Sequence, residues 1–351
     1  MKKSLIALAA LAATASFAQS SVTIFGVLDS AYTQAKTGSS TVSSLSGTGS
    51  QLSSRLGFRG TEDLGGGMSA SFWLEAGLNI DNGVGQASNT NNQAGGLQAS
   101  NGGLTFNRRS TVSLNGSFGE VRLGRDYTPQ FWTQTAYDPF GTVGVGANIA
   151  LTGGAPAANL TGVRASNSIG YLSPKFNGFG VWAQTYMGEN KSDVAAPADK
   201  KTGSGNGVRV TYDNGPLSLA LANSSTDTGV GTTWKATNIG GSYDLGVAKI
   251  LALSTTDKPT GALDIKGNLI GATMPMGAGT IKLSQSQTKQ GDNKSDKTAI
   301  GYVYGLSKRT SLYATYASVK NSGAAKVSLG GTTGAAGVSS TGMDLGVTHA
   351  F

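Results

Sequence analysis

The side chains in this sequence best able to act on another molecule are cationic, and they recur beside apolar residues at a spacing of two. Arg55 and Arg59 interleave with Leu56 and Phe58, and Arg209 stands between Val208 and Val210. Arg109 has the parity opposite to Val112 and Leu114, and Arg164, Ser166 and Ser168 oppose Ile169 and Tyr171. Glu120, Arg122 and Asp126 oppose Val121 and Leu123, Glu75 follows Leu74, and Lys282 lies between Ile281 and Leu283. In an extended chain, period two sends each ionic group to the face opposite its apolar neighbours. A face on which arginine outnumbers carboxylate attracts anions without making or breaking a bond.

Bond-making chemistry has little to work with. There is no cysteine, which removes thiol nucleophiles and cysteine zinc sites, and one histidine cannot build a multi-histidine metal centre. That histidine, His349, shares its parity with Met343, Leu345 and Val347 on an apolar face. No Gly-x-Ser-x-Gly elbow has a base to serve it. Gly65-Gly66-Gly67 lacks the strand–loop–helix setting of a phosphate loop and reads as a tight turn. No enzyme, cofactor or metal is expected.

The charged faces need strands to hold them, and the chain supplies them. Glycine makes up 53 of 351 residues, only 13% are charged and 38% are hydrophobic, a composition poor for helices. Clean alternation runs through 51–60, 68–79, 298–306 and the C-terminal 342–351, while 178–187 and 246–256 do not decide their own parity. Seven short turns, such as Asn115-Gly116 and Asp213-Asn214-Gly215-Pro216, alternate with eight longer Ser/Thr/Gly/Asn-rich stretches. The longer stretches are 36–50, 81–103, 127–162, 188–206, 227–234, 257–261, 290–296 and 321–340. That count predicts sixteen strands with short turns at one end and long loops at the other, as in an outer-membrane barrel. A closed barrel pairs every backbone polar group within the bilayer and needs apolar residues on its outer face only, which accounts for the low hydrophobic fraction. A secreted sandwich or solenoid shares the alternation but not the turn-and-loop asymmetry. On the barrel reading the ionic faces above point into the lumen.

Residues 1–18 read as a signal peptide: Lys2 and Lys3, the apolar run 5–15, then Ser16-Phe17-Ala18 before Gln19. Residues 19–351 form a single barrel domain. The formal net charge is +8, falling to +6 without Lys2 and Lys3, which suggests acidic partners. No Lys/Arg cluster marks a nucleic-acid face, so none is expected to bind.

With these elements in place the sequence resembles the trimeric general porins of betaproteobacteria over essentially the whole mature chain. The resemblance is carried by 21–29 (SVTIFGVLD), 54–65 (SRLGFRGTEDLG), 108–114 (RRSTVSL), 118–125 (FGEVRLGR), 164–171 (RASNSIGY) and the closing His349-Ala350-Phe351. It implies an all-β, sixteen-stranded antiparallel transmembrane barrel in the outer membrane of a Gram-negative bacterium. It also implies a homotrimer, held by barrel walls and by the second loop (81–103) reaching a neighbour, and passive diffusion of small anionic or hydrophilic solutes. The third outer loop, 127–162, would fold inward, with Asp138-Pro139-Phe140-Gly141 at the narrowing.

On that likeness the constriction comprises Arg55, Arg109 and Arg164, with Glu75, Asp126, Asp138 and Arg108, whose outward parity is expected to fail at a loop edge. Asp29, Arg59, Glu120, Arg122, Arg209 and Lys282 are further lumenal charges, and Phe351 resembles the signal read by barrel-assembly machinery. The loop lacks the acidic richness of cation-selective relatives, since Asp126 and Asp138 are its only carboxylates. Anion attraction by the arginines stands beside a plainer role, neutralising Glu75, Glu120 and Asp126. Tyr171, Tyr212, Tyr302, Tyr304 and Phe351 are expected in interfacial girdles with the outer-membrane lipid, and Trp73 in packing of the infolded loop. Tyr127, Phe131, Trp132 and Tyr137 could offer a stacking surface. A porin selective for an anionic nutrient or a sugar, and an adhesin using the barrel as an anchor, remain as rival functions.

Overall fold

Alternating sequence becomes a closed wall. In the computed structural model, which describes residues 21–98, 103–149, 159–196 and 198–351, sixteen antiparallel strands form one barrel. The proposed signal peptide lies outside the described residues. The strands are β1 Ser21–Thr37, β2 in two arms Ser40–Ser46 and Arg55–Gly65, β3 Met68–Asn79, β4 Arg109–Gly116, β5 Gly119–Tyr127, β6 Arg164–Leu172, β7 Phe179–Tyr186 and β8 Gly205–Asn214. They continue as β9 Leu217–Gly229, β10 Thr232–Asp244, β11 Lys249–Pro259, β12 Ile265–Met276, β13 Gly279–Gln290, β14 Asn293–Gly305, β15 Thr310–Ser322 and β16 Ser340–Ala350. Each pairs with its sequence neighbours, and β1 pairs with β16 from Val27↔Ala350 to Thr37↔Ser340, which closes the wall. Phe351 completes the seam: its N–H donates to the Gly26 carbonyl and its carbonyl accepts from the Gly26 N–H, both at 3.1 Å. Closure leaves no unpaired edge in the bilayer.

Outward positions are exposed and apolar, including Val22, Ile24, Val112, Leu123, Ile169, Ile270 and Ile300. Tyr171, Tyr212, Tyr302 and Tyr304 gather toward the short-turn end. There the Tyr171 hydroxyl donates to the Phe118 carbonyl at 2.7 Å and the Tyr302 hydroxyl to the Met276 carbonyl at 3.0 Å.

Three stretches expected to be long loops are strand. β1 runs to Thr37 and turns through Gly38 and Ser39 into the first arm of β2, Val230–Gly231 alone joins β9 to β10, and Gly291–Asp292 alone joins β13 to β14. The tight hairpins rest on Gly231 and Gly291, whose φ of +66° and +59° only glycine adopts at little cost. Beyond the bilayer a strand needs no apolar face, so its Ser/Thr/Asn/Lys-rich continuation carries no alternation and imitates a loop.

The second outer loop engages its own chain. Asn92 Nδ2 donates to the carbonyls of Ser166 (3.0 Å) and Met187 (3.2 Å), and Gln93 Nε2 donates to Gly188 O and Asn190 Oδ1, each at 3.0 Å. Its described residues therefore make intrachain bonds to β6 and the fourth loop.

The apolar core lies inside the barrel, on one side only. The third loop enters as helix α1, Pro129–Ala136, with Pro129 at its first turn, and then crosses the lumen. Tyr137 packs against Ala220, Leu253 and Leu269 of β9, β11 and β12, while Phe140 and Val145 pack against Ala35, Ala299, Ala317 and Val319 of β1, β14 and β15. This explains the segments of undecided parity. In β11 Leu251 and Leu253 face the loop while Ile250 faces lipid, and in β7 Trp182 and Tyr186 face inward while Val181 faces out. Those strands are apolar on both faces because both are covered.

Candidate functional site

Filling one side leaves the lumen open against the opposite wall, β2 to β8, and the ionic residues are there. Register places Arg55 opposite Gly77 on β3, two residues beyond Glu75, and Glu75 opposite Arg109 on β4. Glu75 accepts from Arg108 Nε at 2.6 Å and from Trp73 Nε1 at 3.0 Å, with Arg55 Nε 3.8 Å away. Arg122 grips both oxygens of Glu120 at 2.9 Å and reaches Asp126 at 2.5 Å; Arg109 stands 3.8 Å from Asp126 and 3.9 Å from Glu120. Arg164 has no carboxylate within 4 Å among the described residues. Its Nε donates to the Arg108 carbonyl at 3.0 Å and its Nη2 to the Tyr127 hydroxyl at 2.8 Å. Arg59 lies beside the paired rings of Phe25 (5.3 Å) and Trp73 (5.2 Å), and Arg209 Nε donates to Thr133 of α1 at 3.1 Å.

The loop facing this wall is held by buried ionic groups. Asp138 accepts at 2.9–3.0 Å from the backbone N–H groups of Phe140, Thr142 and Asn148 and from the Asn148 side chain. Asp344 of β16 accepts from Val145 N at 2.8 Å and from Thr33 at 2.7 Å, and Lys297 of β14 donates to the Ala147 carbonyl. Lys282 lies 5.8 Å from the Phe140 ring centre. Nearby, Asp29 is fully buried. It takes the N–H groups of Ser50, Gln51 and Leu52 and the hydroxyls of Tyr313 (2.5 Å) and Thr348 (2.6 Å), tucking 47–54 against the inner wall.

Besides a cavity of about 500 Å³ on the far side of the loop, lined by Thr33, Lys297 and Asp344 among others, two cavities follow the arginine wall. One of about 1090 Å³ lies between α1 and the arginine wall, and one of about 420 Å³ continues toward the short-turn end. Trp73, Arg109 and Arg122 line both and so mark the neck between them. Lining residues include seven arginines (55, 59, 108, 109, 122, 164 and 209) against three carboxylates (75, 120 and 126). Four positive charges are left without a counter-charge.

The structure thus brings Arg55, Arg108, Arg109, Arg164, Glu75 and Asp126 together at one level, with Arg59, Glu120, Arg122 and Arg209 beside them. Arg108 points inward against its parity because its N–H bonds the Glu75 carbonyl at the strand's edge, where the chain leaves the ladder. Asp138 is not on the lining. Its carboxylate is consumed by the loop's own N–H groups, since a tight crossing segment leaves donors that no strand can pair. Asp29 and Lys282 point inward but are covered, by 47–54 and by Phe140. Trp73 is a shelf for Arg59 and Arg109 and does not pack the loop, and Tyr137 is buried away from the lumen. Sequence reasoning missed Asp344 and Lys297. Asp344 stands on the lumenal parity of the last strand, while Lys297 falls ahead of the alternation read from 298, although β14 begins at Asn293.

Comparison with known proteins gives a consistent result. The Gram-negative porin family profile matches residues 5–324. The chain is 42% identical to outer membrane porin protein 32 of Delftia acidovorans, over 100% of both chains. It is 31% identical to an outer membrane porin of Bordetella pertussis, covering 92% of this chain and 95% of that one. Among solved structures, the anion-selective porin from Comamonas acidovorans superposes with a TM-score of 0.83 at 36% identity, covering 95% of this chain and 100% of that one. The trimer form of OmpT from Vibrio cholerae shares the fold, with a TM-score of 0.66 at 14% identity over 95% and 99% of the two chains.

Proposed function

The chain belongs to the Gram-negative porin family and is an outer-membrane porin, and from that premise we propose that it is a passive diffusion channel preferring small anions, assembled as a homotrimer. The observation that carries the preference is the excess of guanidinium over carboxylate on the lining of the two cavities. Arginine keeps its charge at any working pH, and rings of Arg or Lys suit anion pores. In this reading Arg55, Arg109 and Arg164 form the constriction with Arg108, while Glu75, Glu120 and Asp126 hold the arginines extended toward the water. Asp138, Asp344 and Lys297 keep the loop in place. The Comamonas relative described as anion-selective supports the same reading. The test is the zero-current potential of single pores in a potassium chloride gradient. It should carry the sign of chloride preference, and the opposite sign would end the proposal.

The trimer is supported by the OmpT trimer form, which shares the fold, and by the apolar outer wall. Unheated protein in mild detergent should have about three times the mass of the 35.4 kDa chain, less signal peptides. A monomer carrying full conductance would refute it.

Phe351 is proposed to serve assembly. It closes the seam with two backbone bonds and lies half-exposed in the outer face, where assembly machinery can read it. Deleting it should lower the inserted amount several-fold and leave the conductance of surviving pores unchanged, as measured by heat-modifiable gel mobility and bilayer recording. An unchanged yield would leave it only a girdle aromatic.

A further inference from the structure

Planar groups crowd the neck. Of six cation–ring contacts among the described residues, five are there, whereas a chain of this length carries about five in all. On the short-turn side the Trp73 indole sits near Arg59 (5.2 Å) and Arg109 (4.9 Å), with Phe25 tilted against it at 4.8 Å. On the outer side Tyr127 carries Arg164 at 4.4 Å and stacks on Phe131 at 5.2 Å with the rings 7° from parallel. Phe131 is buried by that stack. Trp132, the next residue of α1, is 39% exposed, its ring centre 5.3 Å from that of Tyr127. It lines the same cavity as Arg164 and is the large apolar side chain that α1 leaves to the water.

We propose that this neck favours planar aromatic carboxylates of the benzoate type over aliphatic anions of equal charge and bulk. The inference rests on the anion-preferring reading above and narrows it to a solute class. Arg164 and Trp132 both flank Tyr127, at 4.4 and 5.3 Å, and so lie no more than about 10 Å apart. A benzoate with its ring on the indole and its carboxylate on a guanidinium spans about 8 Å between those two centres. The ring gains a stacking partner and the carboxylate a forked donor. Planar guanidinium faces at Arg59 and Arg109 offer the next stacking surface past the neck. A puckered ring of the same charge keeps the ion pairing but loses the stacking. At roughly 0.5–1.5 kcal/mol for an aromatic contact beyond its area, that loss is about a twofold to tenfold change in affinity.

The test uses purified full-length porin in planar bilayers, with benzoate and cyclohexanecarboxylate added separately to potassium chloride. Benzoate should reduce the chloride current at a half-blocking concentration about twofold to tenfold below that of cyclohexanecarboxylate. Trp132→Leu should abolish the difference and Trp132→Phe should retain part of it. Equal half-blocking concentrations in an anion-preferring wild-type pore would overturn this proposal while leaving the anion reading intact. A cation-signed potential in potassium chloride alone would overturn the anion reading itself. A difference that survives in Trp132→Leu would overturn the assignment to the helix indole.

Discussion

Serine at Arg55, Arg109 and Arg164 together should move the zero-current potential strongly toward cations, with the chloride-to-potassium permeability ratio falling by about an order of magnitude at low salt. An anion within about 4 Å of one guanidinium gains about 1 kcal/mol at water-like dielectric, and more where the bore is narrow. The three residues supply most of the four-charge excess on the lining, so their loss leaves one. Arg164 is expected to weigh most of the three, because it has no carboxylate within 4 Å among the described residues, whereas Arg55 faces Glu75 and Arg109 faces Asp126 and Glu120. Arg122, gripped by Glu120 and Asp126, should matter less to the field and more to the wall's shape. Raising salt should weaken the wild-type preference without abolishing it, since screening over about 8 Å at physiological strength removes distant charges before lining ones. Replacing the exposed Lys191, Lys200 and Lys201 of the fourth loop should change the potential far less. If those lysines matter more than the arginines, selectivity resides at the mouth and the constriction is misassigned.

A different signature is expected from the loop's anchors. Asp138→Ala strands the Phe140 and Thr142 N–H groups and removes the carboxylate that Asn148 bonds, and Asp344→Ala strands the N–H of Val145. An unsatisfied buried donor costs about 1–3 kcal/mol, and a bond to a charged acceptor contributes about 1.5–3 kcal/mol. Losing several at once exceeds what packing of Phe140 and Val145 against the β1, β14 and β15 wall can offset. The double variant should keep its barrel, whose backbone ladder does not depend on these two side chains, while the loop swings from the lumen. Single-channel conductance should rise by a factor of about two, current noise should increase, and anion preference should fall as ions pass farther from the arginines. The arginine variant shifts selectivity toward cations with little noise; the anchor variant changes bore and noise first. Wild-type conductance and noise in the double variant would mean that apolar packing alone seats the loop.

The residues that were hardest to place share one physical feature, which is that a partner distant in sequence decides their surroundings. Arg55 and Arg109 needed only their neighbours, since a charge beside alternating apolar residues has one direction available in a bilayer, whereas Arg164 is separated from Ile169 and Tyr171 by a bulge at 165–168 that breaks the parity. Asp138 could not be placed that way. It lies outside any strand, and its acceptors are taken by donors exposed only because the chain crosses the lumen. Trp73 showed its lumenal parity, but the arginines on either side of it come from β2 and β4. In β11 the parity signal vanishes because Tyr137 packs on Leu253 at its inner face, and in β7 because Trp182 and Tyr186 are large side chains buried on the lumenal side.

The sequence by itself determined the class of the fold, the count of strands, the separation of short-turn and long-loop ends, and the inward set of arginines. These follow from a period of two, a bilayer that forbids unpaired backbone and charge on its apolar side, and turn residues that act locally. Only the tertiary structure decided where the water runs. Which half of the lumen the third loop fills, which carboxylates are consumed in holding it, and which guanidinium groups are left facing open space depend on contacts between residues up to hundreds of positions apart. Such contacts leave no periodic trace in the chain, because a side chain's charge is the same whether a neighbouring strand neutralises it or leaves it to the solute.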